Sequence, residues 1–222
     1  MILPEERVIL IAGHYGSGKT NIAVNLAVAY ASEGIKTAIC DLDIVNPYYR
    51  TKDSADLLAS CGVQMISSPF ANSNVDLPAL PQEIYALTGR RDIKAIFDIG
   101  GDDRGALALG RYAPAIREEN DYLMACVVNF YRPLTRDAEA ALRVMREIEC
   151  AGGIAFTHLI NNSNLGADSG WDTLRDSMEE YTRLIRLSGL PSLMICAEKA
   201  VAGAYPGEDV FPLTLQKRPF EA

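Results

Sequence analysis

The stretch Val8-Ile9-Leu10-Ile11-Ala12-Gly13-His14-Tyr15-Gly16-Ser17-Gly18-Lys19-Thr20 decides how the chain is read. Five consecutive apolar residues suit a strand buried on both faces. Gly13 to Thr20 then fit G-x-x-x-x-G-K-[ST], and Asn21 to Tyr30 have helical spacing. Strand, small-residue turn and helix in that order make a phosphate-binding loop. Backbone N–H groups of such a turn converge on an anion, and the helix brings the positive end of its dipole to the same point. Lys19 would contact the β- and γ-phosphates of a nucleotide, and the Thr20 hydroxyl would bind Mg²⁺. Gly13, His14, Tyr15, Gly16, Ser17, Gly18, Lys19 and Thr20 are thus the first candidate nucleotide-contacting residues.

Beyond the loop, strand candidates alternate with helical segments. Strands are expected at Thr37 to Cys40, Val63 to Ile66, Lys94 to Asp98, Tyr122 to Val128, Ile154 to Ile160 and Leu193 to Cys196, with an edge strand around Val210 to Leu215. Helices are expected at Ser54 to Ala59, Gln82 to Thr88, Ala106 to Glu119 with an interruption near Pro114, Thr135 to Glu149, and Trp171 to Leu187. Ser67 to Pro81, rich in Ser, Asn and Pro, reads as a surface excursion. This alternation predicts an α/β fold: a mostly parallel, doubly wound sheet flanked by helices, the P-loop NTPase fold, in one domain over residues 1–222.

The 222 residues suffice for a substantial core, and 49% hydrophobic with 23% charged residues is ordinary for a globular protein. A net charge of −8 opposes binding to nucleic acid or to an anionic membrane. Five scattered cysteines without a C-x-x-C pair fit reduced, mostly buried thiols. The first residues lack a basic flank and a long apolar run, so the expected location is cytoplasmic.

In an open parallel sheet, ligands bind outside the carboxyl ends of the strands. Besides the loop, Asp41/Asp43, Asp98 to Asp103, Asn129 and Asn161/Asn162 fall at such ends. Asp98 closes an apolar strand and precedes two glycines, which suits a carboxylate holding Mg²⁺ directly or through water. An isolated Asp there is more often a turn or cap residue, but the phosphate loop in the same chain reverses that weighting. Of Asp41 and Asp43, one could support the metal shell and the other orient water; a solvated acidic turn explains either equally well. No [NT]-K-x-D pattern for guanine is present, since Thr51-Lys52-Asp53-Ser54 fails the spacing. The amides of Asn161 and Asn162 both donate and accept, which suits adenine, although Asn is also common in turns. His158 reads as a satisfied strand residue, and His14 stands inside the loop.

Taken together, these residues resemble the MinD/ParA family of P-loop ATPases, a group that includes the nitrogenase iron protein and the cobyrinate/dethiobiotin-type ligases. GHYGSGKT resembles its G-K-G-G-x-G-K-[ST], DLDIVNP its switch I segment, and FDIGGD its Walker B and switch II segment. Val128-Asn129 followed by Thr135-Arg136-Asp137 resembles the connection after its fifth strand. Leu159-Ile160-Asn161-Asn162-Ser163 is similar to the segment whose Asn binds adenine, in a register that points to Asn162. The resemblance implies ATP and Mg²⁺ as cofactors, phosphate and metal binding by Lys19 and Thr20, metal support by Asp98, and water orientation by Asp43; Asp41 is then the member of the Asp41/Asp43 pair left for the metal shell. Lys19 and Asp43 are then the candidate catalytic residues.

The front of the loop departs from the family pattern. His14 stands where the family has a lysine that reaches a partner's nucleotide, and Tyr15 stands where a glycine is usual. Both weigh against a nucleotide-sandwich homodimer, and Arg50 or Arg104, by position alone next to the two switch segments, could supply the missing charge in cis. Three activities remain open: a slow Mg²⁺-ATPase switch that regulates or loads an unidentified protein partner, a small-molecule kinase or ligase, and a noncatalytic nucleotide sensor.

Overall fold

A computed structural model describes residues 3–42, 51–67, 84, 87, 89–101, 103–204 and 210–215, without the side chains of Lys52, Asp53, Ser67, Asp103 and Arg104. Among these residues, eight strands form one sheet: β1 (Val8–Ala12), β2 (Thr37–Asp41), β3 (Gln64–Ser67), β4 (Lys94–Asp98), β5 (Tyr122–Val128), β6 (His158–Asn161), β7 (Ser192–Glu198) and β8 (Val210–Leu213). Their order is β3-β2-β4-β1-β5-β6-β7-β8, and every pairing is parallel. β1 lies between β4 and β5, so chain direction across the sheet reverses around it. This is the switch point where such sheets open a crevice for a ligand.

The helices whose bounds are described are α1 (Lys19–Ser32), α2 (Ala55–Ser60), α3 (Asp103–Gly110), α4 (Ala113–Glu119), α5 (Ala138–Gly152), α6 (Trp171–Ser188) and α7 (Lys199–Gly203). The apolar run of β1 serves both faces of the sheet. Val8, Leu10 and Ala12 join a core with residues of α3 to α6, while Ile9 and Ile11 join one with α1 and α2. Alternate strand residues point to opposite faces, so a strand covered on both sides shows no polar alternation.

Several predicted boundaries shift for identifiable reasons. The expected break near Pro114 falls earlier, at Arg111 and Tyr112, because Pro114 sits in the first turn of α4, where its missing N–H costs nothing. The helix expected from Thr135 begins at Ala138, where the Asp137 carboxylate accepts the Ala140 N–H at 2.8 Å; Pro133–Thr135 is a separate 3₁₀ turn. Ile154 and Phe156 are buried as core residues, but strand pairing begins only at His158. The edge strand predicted near Val210 is present as β8, parallel to β7. The excursion from Ser67 to Pro81 lies almost wholly outside the described residues. Within the helix expected at Gln82 to Thr88, Ile84 and Leu87 are helical and buried.

At the amino edge of the sheet, Lys94 Nζ donates to the carbonyls of Pro4, Glu5 and Glu6 at 3.0, 3.0 and 2.8 Å, and the Tyr30 hydroxyl donates to Pro4 at 2.6 Å. The Arg7 guanidinium pairs with Glu119 and donates to the Arg90 and Ile93 carbonyls. This lattice fixes the end of the sheet opposite the phosphate loop.

Candidate functional site

Gly13 leaves β1 with φ +146°, and a Cβ there would stand 2.3 Å from the Val127 carbonyl oxygen of β5. Only glycine fits both that backbone and that approach. Gly18 caps α1 with φ +90°, and a Cβ on it would stand 2.2 Å from Asn162 Nδ2. Between them the Ser17 N–H donates to the His14 carbonyl at 3.2 Å and closes the turn. The Lys19 ammonium folds back over the loop, donates to the same carbonyl at 3.2 Å, and is largely buried. The first turn of α1 carries no acidic side chain, so nothing within it offsets the positive end of the dipole. The Ser17 hydroxyl oxygen is buried without a hydrogen-bond partner among the described residues. Buried polar atoms normally find partners, and this one lies inside a loop whose geometry suits an anion.

Two long-range contacts hold the loop from outside. Asn162 Nδ2 donates to the Ser17 carbonyl at 2.7 Å, and Arg132 Nε donates to the Gly16 carbonyl at 2.9 Å. The segment after β4 closes the third side: a Cβ on Gly101 would meet Tyr15 N at 2.6 Å and Lys19 Nζ at 2.8 Å.

Two of the candidate acids, Asp98 and Asp41, end adjacent strands. Asp98 pairs in register with Ile11 of β1 on one side and with Asp41 of β2 on the other. Both carboxylates are buried, and the Thr51 hydroxyl donates to Asp98 Oδ2 at 3.0 Å. Thr20 sits one residue into α1, so Thr20, Asp98 and Asp41 occupy one end of the sheet around the loop. A hydroxyl and carboxylates are hard oxygen donors of the kind Mg²⁺ takes. Asp43 and Arg50 lie outside the described residues, as does the Arg104 side chain.

The asparagines divide by role. Asn161 donates to Ser177 Oγ at 2.9 Å and accepts from Ser163 N at 3.1 Å. Asn129 accepts from Tyr131 N and Asn164 N and donates to the Asn164 carbonyl, tying the loop after β5 to the loop after β6. Asn162 is the one that reaches the phosphate loop. His14 Nδ1 lies 2.9 Å from the Tyr15 carbonyl oxygen, and Tyr15 is exposed. Sequence reasoning missed Arg132 and Thr51. Arg132 belongs to the connection between β5 and α5, and Thr51 stood in a segment weighed only as a guanine motif.

The CobQ/CobB/MinD/ParA nucleotide binding domain matches residues 8–167, most of the chain and every loop described above. The chain belongs to that family. The ATPase GET3C of Arabidopsis thaliana is 26% identical over 160 residues, covering 70% of this chain; the chain spans only 38% of that relative's length. Among solved structures, the 54 kDa signal recognition particle protein of Aeropyrum pernix in complex with GDP superposes with a TM-score of 0.57 at 20% identity, over 86% of this chain and 42% of the other. FtsY of Thermotoga maritima gives 0.57 at 18%, over 88% and 63%. A nucleotide-binding protein of Archaeoglobus fulgidus in complex with ADP gives 0.50 at 14%, over 86% and 80%. The superpositions support the parallel fold, and the family supports nucleotide binding. No helix among the described residues is long and apolar enough to cross a membrane.

Proposed function

We propose that the protein binds ATP with Mg²⁺ on the Gly13–Thr20 loop, hydrolyses it slowly, and acts as a nucleotide switch that regulates or loads a protein partner in the cytoplasm. The observation that carries this reading is the loop itself, glycine-shaped, with Lys19 folded over it and an acid-free helix start behind it. In this reading Lys19 neutralises phosphate charge, Thr20 with Asp98 and Asp41 holds Mg²⁺, and Asp43 orients the attacking water. Bound Mg²⁺ would supply charge stabilisation at the phosphates. ATP is favoured over GTP by the missing guanine motif and by Asn162, whose amide also braces Ser17. The solved neighbours named above hold ADP in one case and GDP in another.

A protein partner is supported by the rim of the site. Tyr15, Leu134 and Leu165 are exposed apolar side chains on the connections after β1, β5 and β6, which leave the sheet at the same end. Large apolar side chains gathered on one rim suit a protein contact. The test is phosphate release from Mg²⁺-ATP and Mg²⁺-GTP. Free phosphate from ATP supports the switch; phosphate recovered in an organic product identifies a transferase, and tight ADP binding without turnover identifies a sensor.

A further inference from the structure

The turn after β5 presents an arginine to the phosphate loop, and the turn is rigid. Asn129 is fully buried; its carbonyl accepts from Arg132 N at 3.1 Å and from the Thr135 hydroxyl at 2.7 Å, and Thr135 N closes onto the Arg132 carbonyl at 3.0 Å. Pro133 follows with a fixed φ. The backbone of Arg132 is therefore held where its side chain meets Gly16.

Its Nε–H donates to the Gly16 carbonyl at 2.9 Å. A peptide carbonyl and the N–H of the same unit point in opposite directions, so this contact sets the direction of the Ser17 N–H within the loop. Lys19 grips the His14 carbonyl two residues earlier, so two cations hold carbonyls of one short turn. A guanidinium carries five N–H donors, and Arg132 uses one of them here. Among the described residues the guanidinium makes no other hydrogen bond and no ion pair. A planar fork of free donors is the geometry that matches phosphate oxygens. Among the described residues no other fixed positive charge stands at the front of the loop, where His14 turns its ring nitrogen to a backbone carbonyl.

We propose that Arg132 is the second cation of the phosphate site, supplied in cis, steadying the loop through Gly16 while its remaining N–H groups bind the terminal phosphate of a nucleoside triphosphate. This rests on the nucleotide-site reading above.

The test titrates fluorescent mant-ADP and mant-AMPPNP, each with Mg²⁺, into the parent and the Arg132→Ala, Arg132→Gln, Arg132→Lys and Lys19→Ala variants. Losing a charge-assisted contact made only to the terminal phosphate should weaken mant-AMPPNP by about tenfold or more in Arg132→Ala and leave mant-ADP nearly unchanged. Arg132→Lys should recover part of the difference. Arg132→Gln, which keeps an N–H but not the charge, should behave like Arg132→Ala. An unchanged triphosphate-to-diphosphate ratio in Arg132→Ala overturns the proposal, whether both affinities fall, as for a brace alone, or both stay. Restoration of that ratio by Arg132→Gln also overturns it. If Lys19→Ala binds both nucleotides like the parent, the nucleotide site itself is misassigned, a different failure.

Discussion

The side-chain amide of Asn162 donates to the Ser17 carbonyl at 2.7 Å, joining residues 145 positions apart. The Asn162 backbone N–H is bound to the Val128 carbonyl at 2.9 Å, so the amide is aimed by the register of the central strands. The loop thus keeps its shape partly through the end of β6. Replacing Asn162 by Ala removes the donor and leaves a buried carbonyl short of a partner, which should cost about 1–3 kcal/mol in urea unfolding. Nucleotide affinity should fall with it. Parent-like stability in Asn162→Ala would show that the contact does not support the loop.

Gly13 and Gly153 separate backbone strain from steric exclusion. Both have positive φ, but a Cβ on Gly153 meets open space, whereas one on Gly13 meets the Val127 carbonyl at 2.3 Å. Gly153→Ala should cost about 1 kcal/mol, and Gly13→Ala about 2–5 kcal/mol, because strain and overlap add. Equal melting temperatures for the two variants would contradict the packing of the loop against β5.

Thr51 couples the segment before α2 to Asp98. Thr51→Val keeps the shape and removes the hydroxyl that donates to Asp98 Oδ2. With both residues buried, a stability loss of about 1–3 kcal/mol is expected, while Thr51→Ser should stay near the parent. If Asp98 supports the metal, the Mg²⁺ dependence of nucleotide binding should shift in Thr51→Val and not in Thr51→Ser. An identical Mg²⁺ titration in all three proteins would separate Thr51 from the metal site.

The thiols give a pH prediction. Burial pushes the Cys40, Cys126 and Cys196 thiols well above the ordinary cysteine range. A folded pKa above the unfolded value means the unfolded chain loses protons first as pH rises. Their contribution is therefore complete below about pH 8.5 and declines above it. Burial raises Tyr30 and Tyr181 in the same direction, so the decline should steepen above about pH 10. Urea midpoints should fall steadily from pH 8 to pH 10.5, and native-state alkylation should reach exposed Cys150 while sparing the three buried thiols. Rapid modification of Cys126 in the folded protein would contradict its burial.

What could be read from the sequence was what is local. The run from Val8 to Thr20 specifies strand, turn and helix within a few residues, and Asp98 announces itself by closing an apolar strand. The wide spacing of apolar runs was enough for a parallel sheet. Pro114 marks the helix break only to within a few residues, because the same residue breaks a helix from inside and starts one from its first turn. Asn161 and Asn162 are alike by type; the family resemblance points to Asn162, and the structure shows that Asn161 serves Ser177 while Asn162 reaches the loop. Arg132 could not be found locally, since its relation to Gly16 spans 116 residues and depends on β5 lying beside β1.

The central claim is that the Gly13–Thr20 loop binds nucleotide phosphate through Lys19. Calorimetric titration of Mg²⁺-ATP into the parent and Lys19→Ala tests it most directly, with thermal unfolding of both proteins to confirm that the variant is folded. The account predicts saturable one-site binding by the parent and no detectable heat from a folded Lys19→Ala. Equal affinity in the two proteins, or no nucleotide binding by the folded parent, would contradict it.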